Sequence, residues 1–464
     1  MKSEISKVTK DNQAIIGGIH YIQKFFDKEV LSDVLNTLTD LKADPKCVRV
    51  WGKLNKNTKI RVRCGGGYSP WMDVGDTLGQ GSGGAALASQ ANLDKGITSM
   101  FHGSSDLTFY GTVPISPLLF QDDIFSLSDT VNAARASLYR IDIVMKQKQL
   151  RLHKDKTTYI IFGSEAKKED MRRKLNEEPL VCGAFQLKEK EPDKYLGEIF
   201  HTDGLGRSAL ETIKARAGKI KAVGYEIKAI MEDYRAEVVG GALCGIELWQ
   251  MCALPSLLSS CSTWVEITPH AIELAEQIQL DFLRILFKVP KSCARAALRS
   301  ESGILGIQYQ IMKEKLLLVF HIRNLEDTAL AKQIYTQQLK FDWPGPVREC
   351  RKICTELGIP DVTQVKATKQ QFKTMVQEAC RLLDERHLKE NILQKDKLDT
   401  LKNEDCTRKS YINTMTLAET RILFQHRTRM TKTAGNYKGW GKYKNEGAMC
   451  KFCLKFDSHS HLMR

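Results

Sequence analysis

Two adjacent carboxylates, Asp122 and Asp123, stand between two short apolar runs in the stretch Pro114-Ile115-Ser116-Pro117-Leu118-Leu119-Phe120-Gln121-Asp122-Asp123-Ile124-Phe125-Ser126-Leu127. Apolar runs of this length read as strands, and a strand–tight turn–strand puts both acids at the tip of a hairpin. Carboxylates held there can grip divalent cations while the strands stay in a core. Two-metal phosphoryl chemistry needs such a clamp on the attacking and leaving oxygens. Taken alone, the dipeptide also fits an ordinary solvated turn, so its neighbours have to decide.

The chain has 464 residues, 42% hydrophobic and 27% charged, and can bury a core. Its length allows about two to four domains. Lys and Arg outnumber Asp and Glu by 70 to 55, a net charge of +15. That balance favours a polyanionic partner, nucleic acid before an anionic membrane surface. Thirteen cysteines, odd in number and mostly scattered, point to reduced thiols rather than a disulfide framework. The N-terminal MKSEISKVTKDNQ has no apolar signal region. The most apolar window, Leu243 to Val265, is broken by Glu247, Gln250 and Pro255 and reads as a buried helix pair. Together these predict a protein of the nucleus or cytoplasm, neither secreted nor held in a membrane.

Residues 1–19 carry no strong pattern. From His20 to Asp27 the chain reads as a strand entering an amphipathic helix, with Val30, Leu31, Val34, Leu35, Leu38 and Leu41 on one face. Lys59-Ile60-Arg61-Val62-Arg63 alternates as a half-exposed strand with basic residues outward. Gly79-Gln80-Gly81-Ser82-Gly83-Gly84 is a turn whose backbone a ligand could approach closely, or else a flexible loop before a helix. It lacks the Gly-Lys-Ser/Thr of a Walker loop. Asp129 is the expected cap of a helix carrying Val131, Ala134, Leu138, Ile141 and Met145. A basic turn and a strand follow over Leu150–Gly163, and another strand over Lys194–Phe200. The fold class expected is α+β, with an antiparallel core. From about residue 206 the pattern turns helical. Leu210, Ile213, Ala217, Ile220 and Ile227 share a face, and Lys214, Arg216, Lys219, Lys221 and Lys228 crowd the others. That surface is either an ordinary solvated face or a track for a nucleic-acid backbone. Helices continue to Met430, where Arg421, Arg427 and Arg429 lie close together. In the tail, Cys450-x2-Cys453 with His461 is a knuckle spacing that suits zinc but lacks a fourth ligand.

In this order the stretches resemble the reverse transcriptase of non-LTR (LINE-type) retrotransposons. Phe120-Gln121-Asp122-Asp123 is similar to the family's aromatic-x-Asp-Asp catalytic hairpin, and Gly79-Gln80-Gly81-Ser82 to its Gln-Gly loop against the incoming nucleotide and template. Leu152-His153-Lys154-Asp155-Lys156-Thr157 resembles the Leu-Asn-x-x-Lys-Thr/Ser segment, with His153 in place of Asn. Tyr195-Leu196-Gly197 resembles the primer-grip hairpin. Leu254-Pro255-Ser256-Leu257-Leu258 with Trp264 resembles the thumb, and Cys450, Cys453 and His461 the C-terminal knuckle cut before its last Cys.

The resemblance implies a palm lacking most of the fingers over residues 1–205, a helical thumb-like region over 206–300, a helical C-terminal domain over 301–440 and a truncated knuckle over 441–464. It implies RNA-directed DNA polymerisation on an RNA template and DNA primer, or their hybrid, with dNTP and a two-Mg²⁺ site. Asp122 and Asp123 would hold the ions, and Lys156 would face the pyrophosphate. Gln80, Gly81 and Phe120 would shape the nucleotide and template pocket. One departure weighs against full activity. The family's other ligand Asp falls, by register, on Tyr21, and a neutral phenol is a poor ligand for an ion that wants hard carboxylate oxygens. Six residues of extended chain span roughly 20 Å, so Asp27 cannot simply substitute. The enzyme is therefore expected to be impaired. The alternative is a catalytically inactive protein that binds RNA or an RNA–DNA hybrid.

Overall fold

A computed structural model of the chain describes residues 1–11, 13–73, 78, 84–234, 237–431 and 433. It is a mixed α+β structure that divides into two compact units, Met1–Leu205 and Gly206–Arg464.

The first unit is built on a five-stranded sheet. Its strands are β1 (Ala14–Tyr21), β2 (Leu118–Phe120), β3 (Asp123–Ser128), β4 (Thr158–Gly163) and β5 (Lys188–Glu189), in the spatial order β5-β4-β1-β3-β2. All neighbours are antiparallel except β4 and β5. The central strand is therefore Ala14–Tyr21, most of it in a segment whose sequence shows no strong pattern. The cause is burial on both sides. From Ala14 to His20 every residue is buried, so the polar–apolar alternation that marks a half-exposed strand never develops. The paired glycines add to the concealment, and packing requires them. A Cβ on Gly17 would lie 2.9 Å from the Phe125 ring, and one on Gly18 2.5 Å from the Ser126 hydroxyl.

One face of the sheet carries Ile16, Ile22, Ile124 and Ile161, packed with Leu138, Ile141 and Val144 of the helix Val131–Gln147. On the other face Phe125 meets Tyr195 and Phe200 at centroid distances of 5.1 and 6.3 Å, and Phe162 meets Phe200 edge-on at 6.2 Å. Those last aromatics belong to a hairpin of β6 (Asp193–Tyr195) and β7 (Glu198–Phe200). The cap of the helix Val131–Gln147 is Thr130, not Asp129. Its hydroxyl accepts the Ala133 N–H at 3.1 Å, as threonine commonly does at this position.

The second unit is helical throughout its described residues. Its long first helix, Leu205–Tyr234, buries Leu210, Ile213, Ile220 and Ile227, as the apolar spacing predicts. Two stacked aromatic pairs, Trp249 on Phe282 at 4.4 Å and Phe287 on Phe424 at 4.1 Å, anchor its main core. Tyr411, Leu417 and Phe424 share that core with Ile213 and Ile278, so it draws on both sides of the expected 300/301 boundary.

Buried charge fixes one helix junction. The Arg299 guanidinium lies between Asp384, which it donates to, and Glu276, 3.5 Å away. The remaining carboxylate oxygens accept the Gly306 and Ile307 N–H groups at 3.0 and 2.8 Å, at the start of the helix Ile307–Arg323. Those groups have no partner within a helix and need one from outside it. The arginines near Met430 are likewise committed: Arg421 to Glu232, Arg427 to Glu301 and Glu404, and Arg429 to Asp399. Their charges hold helices together and do not form a free basic patch.

Candidate active site

The acidic pair sits where the motif predicts, at the turn between β2 and β3. Phe120 and Asp123 are paired across the ladder, so Gln121 and Asp122 form a two-residue turn. Gln121 takes a left-handed backbone there, with φ of 54°. Asp123 is the first residue of β3, and its partner on β1 is Tyr21. Directly paired residues project from the same face, their Cβ atoms about 5 Å apart. The phenol of Tyr21 and the carboxylate of Asp123 therefore face one another at the end of the central strand. Phe120 is half-exposed beside them.

Two further segments converge on this strand end. The segment that resembles Leu-Asn-x-x-Lys-Thr docks on β1 through backbone bonds. His153 N–H donates to the Tyr21 carbonyl at 2.7 Å, Gln23 N–H donates to the Arg151 carbonyl at 2.8 Å, and Leu152 bridges to Ile22. Thr157 Oγ1 accepts the Tyr21 N–H at 3.4 Å. That brings Lys156 close enough for its charge to favour ionisation of Asp123. The β6–β7 hairpin closes the other side. Tyr195 is buried against Phe125, and its hydroxyl is held protonated by burial and by the Asp123 and Tyr21 groups. Leu196 and Gly197 make its turn with φ of 48° and 78°, the left-handed pair that a two-residue hairpin requires. Buried Asp193 ties the hairpin to the sheet by accepting from Thr158 and from Lys190, the latter at 2.8 Å.

Electrostatically the site is short of positive charge for its acids. Burial and the neighbouring Asp122 push the Asp123 carboxyl up to about 6, with Lys156 acting in the opposite sense. Burial and the charges of Asp123, Asp193 and Asp122 push the Tyr21 phenol up to about 12. The phenol stays protonated, and its hydroxyl is used: it donates to the Lys194 carbonyl at 2.8 Å. Tyr21 thus bridges the acidic turn and the β6–β7 hairpin.

Gln80 and Gly81 lie outside the described residues, as do Cys450, Cys453 and His461. The structure does contain a cluster that sequence reasoning missed. Among the described residues, Glu191, His201 and Asp203 bring one ligand atom each to within 4.8 Å of one another and could hold a metal ion. His201 Nδ1 is 3.7 Å from Glu191 and 3.5 Å from Asp203, and it accepts the Asp203 N–H at 3.2 Å. A bound ion would have to displace that hydrogen bond. Arg172 stands 3.6 Å from Glu191 and adds repulsion. No spacing rule marks the trio, because the β6–β7 hairpin itself brings residue 191 beside 201.

No helix among the described residues is long and apolar enough to cross a membrane. All eleven described cysteines are free thiols. In comparison with known proteins, the chain matches no family model and no curated protein.

Proposed function

We propose that this chain derives from the reverse transcriptase of a non-LTR retroelement and retains its nucleic-acid-binding palm with an impaired polymerase centre. One observation carries the reading. Three stretches that resemble the family's motifs in sequence, at Phe120–Asp123, Leu152–Thr157 and Tyr195–Gly197, meet beside Tyr21 at one end of a central antiparallel strand. Phosphoryl transfer depends on positioning and on electrostatic stabilisation of developing charge, and a strand end fixed by neighbouring strands suits that task.

The residues present do not fit the two-magnesium centre that the resemblance implies. Magnesium needs charged oxygen ligands in near-octahedral array. Asp122 and Asp123 are adjacent on one turn. The third position is a protonated phenol whose hydroxyl is already bonded to Lys194. The reading is therefore one of binding with lost or weak polymerisation: the acidic turn, Lys156 and the β6–β7 hairpin keep their arrangement without a complete clamp.

Primer extension on a primed RNA template with dNTPs and Mg²⁺ tests this. The native chain is expected to be silent or weak, Tyr21→Asp to extend the primer, and Tyr21→Asp combined with Asp122→Ala to be silent. Robust extension by the native chain that Asp122→Ala abolishes would overturn the impairment. Silence throughout, together with no affinity for an RNA–DNA hybrid, would overturn the family reading.

The second reading, a binding protein without any chemistry, is favoured by the Tyr21–Lys194 bond and by the net charge of +15. It requires hybrid affinity that falls steeply with salt, because phosphate contacts release counterions.

A further inference from the structure

The segment Lys56–Asp73 forms a long hairpin outside the five-stranded sheet. Lys59–Ile60 pairs with Met72–Asp73, and Arg63–Cys64 pairs with Gly67–Tyr68 around a glycine turn. Between the two ladders Ser69 N–H donates to the Val62 carbonyl at 2.9 Å, and Val62 N–H donates to the Ser69 hydroxyl at 2.9 Å. All its residues from Lys59 to Asp73 except Ser69 are exposed, Tyr68 by 57% and Trp71 by 60%. A bare two-stranded hairpin is at best marginally stable, and none of its large side chains supports the core of the unit.

Those side chains are nevertheless arranged. The Arg61 guanidinium carbon lies 4.0 Å from the Tyr68 ring centroid and 4.7 Å from that of Trp71. Both distances are well inside the range for cation–π attraction. The segment carries four cations, Lys56, Lys59, Arg61 and Arg63, against the single acid Asp73, which pairs with Lys59 at 3.4 Å. Stacking restrains Arg61 while leaving the edge of its planar fork, with its N–H donors, open to a phosphate. The two rings keep substantial open surface on which a planar base can stack.

We propose that this hairpin is a binding platform for single-stranded nucleic acid, separate from the acidic turn. Tyr68 and Trp71 take stacked bases, and Arg61 with Arg63 takes the backbone. Exposed aromatics interleaved with cations are the combination by which proteins hold single strands without reading their sequence. An acidic protein surface would satisfy the cations and leave the aromatic faces in water. An anionic membrane would have to draw the rings into lipid together with the guanidinium stacked on them, at a large cost in desolvation. A single strand satisfies both kinds of group. The proposal rests on the nucleic-acid part of the function proposed above, and on nothing in the polymerase centre.

The test is fluorescence anisotropy of the full chain with three probes: a labelled 20-nucleotide oligo-dT or oligo-U, a blunt RNA–DNA hybrid, and phosphatidylserine-containing vesicles. Tyr68→Ala combined with Trp71→Ala should weaken single-strand binding about 30-fold or more, as loss of two stacked bases does. It should leave hybrid binding within about twofold and the slope of log affinity against log salt unchanged. Arg61→Ala should weaken the single strand and lower that slope by about one. Arg61→Lys, which keeps the charge and loses the planar stack, should recover the slope and only part of the affinity. These residues are on the surface, so an unchanged melting curve checks that the fold survives.

Unaltered single-strand affinity in the aromatic double variant would overturn the proposal. So would an equal loss on single strand and hybrid, or a loss confined to vesicles. If the hairpin variants behave as expected while Tyr21→Asp stays silent in primer extension, the platform stands and the polymerase reading falls.

Discussion

Replacing Tyr21 by Asp changes three terms at one place, and their sum can be read without any catalytic assay. The variant loses the hydrogen bond from the phenol to the Lys194 carbonyl, which is about 0.5–1.5 kcal/mol. It also sets a third carboxylate opposite Asp123, its partner across the ladder. At a separation of about 5 Å and surface-like screening, that repulsion is of order 1–3 kcal/mol. In a chelator, then, the unit Met1–Leu205 should lose about 2–4 kcal/mol. Added Mg²⁺ should reverse the loss, because three carboxylates now converge where there were two. At a hundred times the dissociation constant, the ion adds about 2.7 kcal/mol. For a unit of this size one kcal/mol moves the melting midpoint by about 2–4 °C. The variant should therefore melt roughly 5–10 °C higher in saturating Mg²⁺ than in EDTA, with little change for the native chain. The assay is thermal unfolding of both proteins followed by circular dichroism, with Ca²⁺ as a second ion. An identical shift in the native chain would show that Tyr21 does not disarm the site. No shift in the variant would show that the strand end does not gather the carboxylates into a common clamp.

Other residues make comparably specific demands. Arg299→Met should destabilise the second unit by about 3–5 kcal/mol in urea titrations, because Glu276 and Asp384 would remain buried without their cation; adding Glu276→Gln and Asp384→Asn should recover part of it. Leu196→Gly should raise the stability of the first unit by about 1 kcal/mol, since a non-glycine side chain now occupies a left-handed turn position; a lowered urea midpoint would contradict the turn geometry. His20 and Asp123 should give opposite pH slopes. Burial depresses the His20 pKa to about 4, so the unfolded chain binds the extra proton and stability is lost as pH falls from about 6.5 toward 4. The full shift corresponds to about 3 kcal/mol, and His20→Gln should remove it. Asp123 is raised to about 6, so the native state binds the extra proton, and stability is lost as pH rises from about 4 through 6. Asp123→Asn should flatten that limb. Urea midpoints at pH 4, 5.5 and 7 measure both slopes.

Local chemistry was legible wherever a motif carries its own geometry. The acidic turn and the amphipathic face of Leu205–Tyr234 each depend on interactions a few residues apart, so order and spacing were enough to find them. The stretch Lys194–Phe200, which reads as one strand in sequence, instead turns back on itself at Leu196-Gly197. The central strand was not legible. Burial on both faces erased the alternation in Ala14–Tyr21, and Gly17 and Gly18 are needed only because Phe125 and Ser126 arrive from more than a hundred residues away.

Composition showed an excess of cations but could not say which are committed. Arg421, Arg427 and Arg429 look alike in sequence to Arg61 and Arg63. Only the folded helices bring Glu232, Glu301 and Asp399 onto the first three. Tyr21 shows the division most clearly. Its identity at a position where the resembling family has a carboxylate is written in the chain. The partners that make it matter, Asp123 across the ladder and the Lys194 carbonyl, are 102 and 173 residues away. The sequence by itself determined which groups are available and which turns they make locally. The tertiary structure decided which of those groups meet, because burial and long-range pairing depend on the whole unit being folded.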